Sequence, residues 1–294
     1  MSAPTIFCDN RRMTVTVYLG VQMNTDEIIE VALKEDRYDE DLTTNALIPE
    51  GARTRGVLYA KESGVIVGLE VARDVFCYGG SNVFFRPLVQ DGDSVRSGQK
   101  IAEVEGDARV ILSRERVALN FLQHLSGIAT TTHRYVVKAG KTKILDTRKT
   151  TPGLRKLEKY AVRMGGGYNH RLNLAQMILI KDNHIALVGS IMEAVKRARA
   201  NSDKMIEVET KTIEQVKEAV RVKPDRIMLD NMPLTEMKKA VKIIRSSSST
   251  IEIEASGGVT MEAIPKITEL GLDYVSCGAL THSVKALDIS LELE

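Results

Sequence analysis

The chain has 294 residues, a length that suits one large domain or two ordinary ones. Apolar residues make up 43% and charged residues 27%, which excludes a disordered tail protein. The net charge of +2 points neither to nucleic acid nor to an anionic membrane. The apolar runs are shorter than the roughly 18 residues of a membrane span, and no secretory signal is recognisable. We therefore expect a cytoplasmic protein without a nucleic-acid or membrane partner.

The front part of the chain predicts a small α+β unit. No period is apparent through Val21, and an amphipathic helix is predicted around residues 28–33. Short strands broken by glycine over residues 54–112, ending with DARVIL, predict an antiparallel sheet. A helix is predicted over residues 113–138, with a break near Gly127.

From residue 143 onward, short apolar strands alternate with amphipathic helices, which predicts a parallel α/β domain. Each predicted strand ends in polar residues, and the strand ends of a barrel converge at one mouth. An open dinucleotide-binding sheet would need G-x-G-x-x-G after a strand, and this pattern is absent from the sequence. We therefore expect a barrel behind the α+β unit, with the strands KILDT, MILIK, MIEVE, RIMLD, TIEIEAS and DYVSCG.

Cations are concentrated in the segment DTRKTTPGLRKLEKYAVRMGGGYNHR, next to the predicted mouth. An arginine offers a flat fork for carboxylate or phosphate, and a lysine offers a point charge. Lys156 and Lys159 lie on the face of the predicted helix and are expected to be solvated surface cations. The cations expected at the mouth are Arg148, Lys149, His170, Arg171 and Lys181.

Acidic and glycine-rich strand ends complete the predicted mouth. Glu209 and Asp230 each end a strand and suit a divalent metal, ribose hydroxyls or a developing positive charge. Glu207 shares a strand face with Glu209, which lies nearer the mouth. The run Ser256–Gly258, followed by a predicted helix, suits an anion such as phosphate. Cys277 has no nearby histidine in the sequence and is expected to be a packing residue.

Together the run DTRKTTPGLRKLEKYAVRMGGGYNHR and the motifs IKDNHI, EVET, MLDNM, EASGGV and CGALTHS closely resemble the quinolinate phosphoribosyltransferase family. The resemblance extends over residues 25–283. It implies conversion of quinolinate and phosphoribosyl pyrophosphate to nicotinate mononucleotide, pyrophosphate and carbon dioxide, with magnesium as cofactor. It also implies an incomplete α/β barrel of about seven strands behind an open-faced α+β sandwich.

The family's domain plan implies four segments in this chain. Residues 1–22 would be an N-terminal extension and residues 23–117 the sandwich domain. Residues 118–283 would form the barrel, and residues 284–294 would return to the sandwich. One departure is Glu40, which stands where the family commonly has glycine.

The resemblance also implies residue roles at the barrel mouth. Lys149, Glu209 and Asp230 would be catalytic, and the two acids would bind ribose and magnesium, directly or through substrate and water. The family works as a homodimer or a hexamer, and Arg116 would reach the site of the neighbouring subunit. The substrate-binding set would be Arg116, Thr147, Arg148, Lys149, His170, Arg171, Lys181, Glu209, Asp230, Ser256, Gly257, Gly258 and Gly278.

Two alternatives remain at this point. One is a phosphoribosyltransferase for a pyridine with a single carboxylate, such as nicotinate, which would need fewer cations. The other is a non-enzymatic carrier, because DGDSVRSGQKIAEVEG resembles the hairpin of biotinyl or lipoyl modules. A carrier would need a modifiable lysine, typically within M-K-M, and the sequence has no such motif.

Overall fold

The protein is described by a computed structural model of residues 25–294, so the predicted extension lies outside the described residues. The chain divides into two compact units. The first contains the residues up to Thr131 together with Lys156–Gly165 and Val284–Glu294. The second contains Thr132–Arg155 and Gly166–Ser283. The division therefore falls later than the predicted boundary at residue 117 and assigns residues 156–165 to the first unit.

The first unit is built on a four-stranded antiparallel sheet in the order β12-β1-β5-β3, with a separate two-stranded pair, β2-β4. Its core contains Leu33, Phe76, Phe85 and Ile111, each at most 2% exposed. The elements in chain order are α1 (Thr25–Glu35), α2 (Leu42–Leu47), β1 (Arg53–Ala60), β2 (Gly64–Val65), α3 (Leu69–Phe76), β3 (Val83–Pro87), β4 (Ser94–Val95), β5 (Lys100–Asp107), α4 (Ala108–Ala139), α5 (Arg155–Met164) and β12 (Ile289–Leu293).

Helix α4 corrects two predictions. It starts at Ala108, so the DARVIL segment begins a helix and does not form a strand. It also continues through Gly127 without a break. A Cβ at Gly127 would overlap the backbone oxygen of Lys285 and lie 3.0 Å from Cα of Ala286. Glycine is needed here because the C-terminal segment crosses the helix at backbone distance.

Helix α5 corrects a third prediction. Lys159 is 2% exposed, so it is not a solvated surface cation. Leu157, Glu158 and Ala161 are also buried, which shows that the helix buries a broad face that includes charged residues. Glu158 accepts a hydrogen bond from Nε2 of His124 at 2.9 Å.

The second unit is a parallel sheet in the order β6-β11-β10-β9-β8-β7, with helices between the strands. All six predicted strands are present, and the α/β fold class is confirmed. The elements are β6 (Lys143–Leu145), β7 (Ile178–Ile180), α6 (Asp182–Val188), α7 (Ile191–Asn201), β8 (Ile206–Thr210), α8 (Ile213–Val222), β9 (Arg226–Asp230), α9 (Leu234–Ser247), β10 (Glu252–Ser256), α10 (Ile264–Thr268), β11 (Tyr274–Ser276) and α11 (Ala279–His282).

The sheet is an incomplete barrel, because β6 and β7 remain as its two edges among the described residues. A seventh position is occupied only by Tyr168, which forms a single parallel bridge to Leu145 of β6. This bridge holds the start of the loop that contains His170 and Arg171 against the sheet.

Within residues 25–294, no helix combines the length and the apolar character needed to cross a membrane.

Candidate active site

The predicted polar strand ends lie at one edge of the parallel sheet. Asp230, the last residue of β9, is paired in register with Ser256 at the end of β10. Ile180 pairs with Val208, so Lys181 and Glu209 follow at the same level of the sheet. Because parallel strands all point the same way, their carboxyl ends form a single rim, as the sequence predicted.

Glu209 and Asp230 are close enough to influence each other. Glu209 is partly buried, with 11% of its side chain exposed. Its pKa is raised, first by burial and then by the negative charge of Asp230, while the positive charge of Lys181 opposes the rise. A cation bound between the two carboxylates would be stabilised, because its positive charge offsets their repulsion.

Lys211 is a cation of this rim that the sequence analysis did not select. Its Nζ lies 4.0 Å from Oε1 of Glu209 and donates a hydrogen bond to Oδ2 of Asp182 at 2.5 Å. Lys211 directly follows the E-V-E-T motif, and this position next to a strand end could have identified it as a residue of the rim.

The glycine turn after β10 is locked by its neighbour Asn231. Gly257 and Gly258 have left-handed φ angles of 87° and 59°. A Cβ at Gly257 would overlap the side-chain amide of Asn231. The backbone N–H of Asn231 also donates to the backbone oxygen of Ser256 at 2.9 Å. The expected helix begins only at Ile264 and spans five residues, so its dipole does not act on this turn. Any anion here would meet backbone amides.

Lys149 is held beside Gly278. The hydroxyl of Thr281 donates to the backbone oxygen of Lys149 at 2.8 Å, and the N–H of Lys149 donates to Oγ1 of Thr147 at 3.0 Å. A Cβ at Gly278 would lie 3.1 Å from Cδ of Lys149. The lysine side chain therefore crosses close to the glycine backbone.

Arg148 and Arg171 form a guanidinium pair. The Nε of Arg148 is buried and has no hydrogen-bond partner within the described part of the chain. Arg171 is 7% exposed and uses Nη1 to donate to the oxygen of Met177 at 3.2 Å. Burial lowers the pKa of Arg171 most, and the charge of Arg148 lowers it further. Two neighbouring cations of this kind, one buried and one half-buried, favour binding of an anion with more than one charge.

His170 is held inside the unit by hydrogen bonds to protein atoms. Its backbone N–H donates to Oδ1 of Asp146 at 2.9 Å. Its Nδ1 accepts from the backbone N–H of Arg171 at 2.8 Å, and its Nε2 lies 3.0 Å from Oε2 of Glu207. Both ring nitrogens are therefore engaged by the protein.

Glu207 and Glu254 belong to a buried charged network that the sequence analysis missed. Both are fully buried, and burial raises the pKa of each to about 7. Nη1 of Arg226 donates to Oε2 of Glu254 at 2.9 Å, and its guanidinium lies 4.0 Å from the ring centre of Tyr274. The sequence signal for these residues was alternation, since the strands IEVET and EIEAS each have a glutamate at every second residue.

Burial distinguishes the roles of three further residues, Cys277, Arg114 and Arg116. Cys277 is 2% exposed, and burial raises its pKa to about 12, as expected of a packing residue. In the first unit, Arg114 is 7% exposed and donates through Nη1 to the oxygens of Phe76 and Tyr78. Arg116 on the same helix is exposed. Of these two arginines, Arg116 is therefore the one available to a ligand or to another subunit.

The structure thus brings most of the predicted site residues together in the second unit. Fold and site define the class: an α/β-barrel protein with cationic, acidic and glycine residues along the carboxyl edge of its sheet. Sequence models of the N- and C-terminal domains of quinolinate phosphoribosyl transferase match residues 41–126 and 128–292. The chain belongs to the quinolinate phosphoribosyltransferase family.

Relatives agree in sequence and in fold. The carboxylating nicotinate-nucleotide pyrophosphorylase of Mycobacterium leprae is 44% identical over 275 residues, covering 91% of this chain and 96% of the relative. A probable enzyme of the same name from Bacillus subtilis is 46% identical over 263 residues, covering 88% and 90%. The crystal structure of nicotinate-nucleotide pyrophosphorylase from Ehrlichia chaffeensis has a TM-score of 0.87 and 41% identity, covering 92% and 98%. The resemblance found in the sequence is confirmed, and the carrier alternative is excluded.

Proposed function

We propose that this chain transfers the phosphoribosyl group of phosphoribosyl pyrophosphate to quinolinate and releases carbon dioxide, giving nicotinate mononucleotide and pyrophosphate. The observation that carries this proposal is the pair of buried Arg171 and half-buried Arg148 in the same unit as the acid pair Glu209–Asp230. A dianionic pyridine needs the first pair, and a ribose that develops positive charge needs the second.

The guanidinium pair binds the two carboxylates of quinolinate. Arg148 has an unused buried Nε, and Arg171 has donors beyond the one used on Met177. A substrate with one carboxylate would leave two neighbouring cations that are partly out of water incompletely neutralised, which is costly. Quinolinate therefore fits this site better than nicotinate.

The phosphate groups bind along the rim. Ser256, Gly257, Gly258 and Gly278 expose backbone and hydroxyl donors to the 5′-phosphate, and the left-handed glycines let that backbone approach an anion closely. Lys149 and Lys181 lie at strand ends on either side of this turn in the sheet order and supply positive charge to the pyrophosphate.

Transfer begins when the lone pair of the pyridine nitrogen forms a bond to the anomeric carbon. The bond from that carbon to the pyrophosphate oxygen breaks, and pyrophosphate leaves with the electron pair. The ribose gains cationic character in this transition state, which the carboxylates of Glu209 and Asp230 stabilise. Lys149 and Lys181 stabilise the charge on the leaving group.

Decarboxylation follows on the positively charged ring. The bond to the carboxylate next to the nitrogen breaks, its electron pair moves onto the ring carbon, and carbon dioxide leaves. A proton from water then completes nicotinate mononucleotide. The protein mainly holds a dianion and a polyphosphate in register, so positioning provides much of the acceleration.

Magnesium fits the donor set of the rim. Glu209 and Asp230 repel each other and supply carboxylate oxygens, which are hard ligands suited to this ion. Two carboxylates do not form an all-protein cage, so substrate phosphates and water would complete the coordination. When bound, the ion neutralises charge on the pyrophosphate. The described cluster with three potential ligands, His170, Glu207 and Glu254, lies deeper and is paired with Arg226.

We further propose that the protein acts in the cytoplasm as a homodimer or hexamer, with Arg116 of the partner subunit completing each site. Support comes from the contrast within α4, where Arg114 is buried and hydrogen-bonded but Arg116 is exposed.

The direct test is an assay for carbon dioxide release with phosphoribosyl pyrophosphate and magnesium, comparing quinolinate with nicotinate. We expect quinolinate to yield stoichiometric carbon dioxide and nicotinate mononucleotide. Equal turnover of nicotinate would favour the mono-carboxylate alternative, and absence of turnover with either pyridine would contradict phosphoribosyl transfer to a pyridine.

A further inference from the structure

Hydrogen bonds to both ring nitrogens of His170 determine the tautomer of its neutral ring. The backbone N–H of Arg171 has only a proton to give, so Nδ1, at 2.8 Å, must be the acceptor. The proton of the neutral ring therefore lies on Nε2, which donates to Oε2 of Glu207 at 3.0 Å. In this state both ring nitrogens are used by protein atoms.

Glu207 lies in a buried cluster of charged residues. It lies on β8, is fully buried, and is next to Glu254 of β10, with one carboxylate oxygen of each and Nε2 of His170 all within 4.8 Å. Glu254 is bound by Arg226 of β9 at 2.9 Å. Residues of three neighbouring strands therefore enclose Glu207, whose Oε2 is the acceptor for the imidazole and whose Oε1 has no hydrogen-bond partner among the described residues.

The other end of this chain of hydrogen bonds is the guanidinium pair. His170 accepts from the main chain of Arg171, the next residue, and so fixes where the Arg171 side chain leaves the backbone. Arg171 then lies close enough to Arg148 for the two charges to interact. A change in the imidazole would therefore move one of the two cations relative to the other.

We propose that Glu207 is a positioning residue for quinolinate: it holds His170 with the proton on Nε2, so that Nδ1 anchors Arg171 beside Arg148. In this role His170 acts through Arg171. This proposal rests on the proposed function, because quinolinate is the ligand that the two arginines bind.

The tautomer can be measured without any substitution. In protein labelled with nitrogen-15 in histidine, long-range nitrogen–proton spectra distinguish an Nε2–H ring from an Nδ1–H ring. The chain has five histidines, and a His170→Asn variant identifies the signal of His170. We expect the Nε2–H form in the ligand-free protein. An Nδ1–H ring would overturn the proposal.

The kinetic test replaces Glu207 with side chains of similar length. Glu207→Met removes the acceptor, and we expect the KM for quinolinate to rise roughly 10- to 100-fold, since small displacements of binding groups have effects of this size. The KM for phosphoribosyl pyrophosphate should change less than about twofold, because that substrate does not use Arg171. Glu207→Gln retains an oxygen that accepts from Nε2–H and should restore most of the quinolinate affinity.

Glu252→Gln is the matched control. Glu252 lies on the same strand as Glu254 and also accepts from Arg226, at 2.8 Å, but it has no hydrogen bond to His170 within the described part of the chain. It should leave the quinolinate KM within about twofold, since only the network and not the acceptor of His170 is changed. An equal rise in KM for Glu252→Gln and Glu207→Met would mean general disruption and would overturn the proposal.

Other outcomes separate this inference from the proposed function. An unchanged quinolinate KM in folded Glu207→Met protein overturns the inference. The inference is also overturned if purified protein contains a tightly bound metal ion that Glu254→Gln protein lacks. If Glu207→Met does not fold, the tautomer and the Glu207→Gln kinetics decide. Wild-type protein with the expected tautomer but no quinolinate turnover contradicts the proposed function, whereas the wrong tautomer in an active enzyme contradicts only this inference.

Discussion

At the residue scale, the site depends on charges that the protein holds partly out of water. Among residues 25–294, no carboxylate bridges the neighbours Arg148 and Arg171, and Glu209 and Asp230 are neighbours that repel. Such like-charge pairs destabilise the ligand-free protein. Their retention is explained by ligands of opposite charge, since buried charges need partners.

Arg148→Ala should abolish quinolinate binding while the fold is kept. Removing one partner of a buried charge pair costs roughly 2–5 kcal/mol, so affinity should fall by at least about 30-fold. Calorimetric titration measures the binding, and circular dichroism checks the fold. Arg197→Ala, which removes an exposed arginine on α7 of the same unit, is the control and should bind normally. Ordinary affinity in folded Arg148→Ala protein would remove Arg148 from the site.

The buried acid Glu254 should make stability fall as pH rises. Burial raises its pKa from 4.5 to about 7, with a further contribution from Glu207. Between these values the folded state binds more protons than the unfolded state, so the free energy of unfolding decreases from about pH 5 to pH 7 and then levels. Glu254→Gln should flatten this slope in denaturant titrations, whereas the exposed Glu214→Gln should not. Parallel slopes for all three proteins would contradict this assignment.

At the element scale, α4 and the glycine turn show how close backbone contacts determine glycine positions. Gly127 lies where the C-terminal segment crosses the helix, and Leu287 continues this contact by donating its N–H to the oxygen of Gln123 at 3.0 Å. Gly257 lies against Asn231, which has a left-handed φ of 53°. Each glycine permits one close tertiary contact: Gly127 lies inside a helix, whereas Gly257 directly follows the last residue of β10.

Gly127→Ala should destabilise the first unit although alanine is the better helix former. The new Cβ would overlap a backbone oxygen, and forced overpacking typically costs about 1–3 kcal/mol against a propensity gain of at most about 1. Asn120→Ala on the exposed side of α4 is the control and should be neutral or slightly stabilising. Thermal unfolding measures both, and a more stable Gly127→Ala protein would mean that the crossing segment moves freely.

At the scale of the whole molecule, the proposed roles of magnesium and of a partner subunit can each be tested. Chelation should abolish turnover and leave the melting temperature of the ligand-free protein nearly unchanged, because the rim provides no all-protein cage for the ion. Differential scanning calorimetry with and without chelator, alongside the carbon dioxide assay, tests this. A large loss of melting temperature would reveal a structural ion.

Sharing of Arg116 should be visible as complementation. Inactive Arg116→Ala and inactive Glu209→Ala proteins are mixed under conditions that allow subunit exchange. Half of the dimers then become mixed, and each mixed dimer has one intact site, so up to about a quarter of the activity should return. Arg114 is a poor donor candidate because its guanidinium already donates to the backbone oxygens of Phe76 and Tyr78. Confirmed exchange without recovered activity would rule out a shared site.

The sequence by itself determined the order of elements, the α/β class and the strand ends that form the rim. These follow from local periodicity and from residues such as Arg148, Glu209 and Asp230 that stand directly at strand ends. Tertiary structure alone decided the continuity of α4 through Gly127, the burial of Lys159 and the engagement of His170 by Glu207. The reason is that a residue's local pattern reports its own strand or helix, whereas a buried charge or a close glycine is specified by a partner distant in the chain.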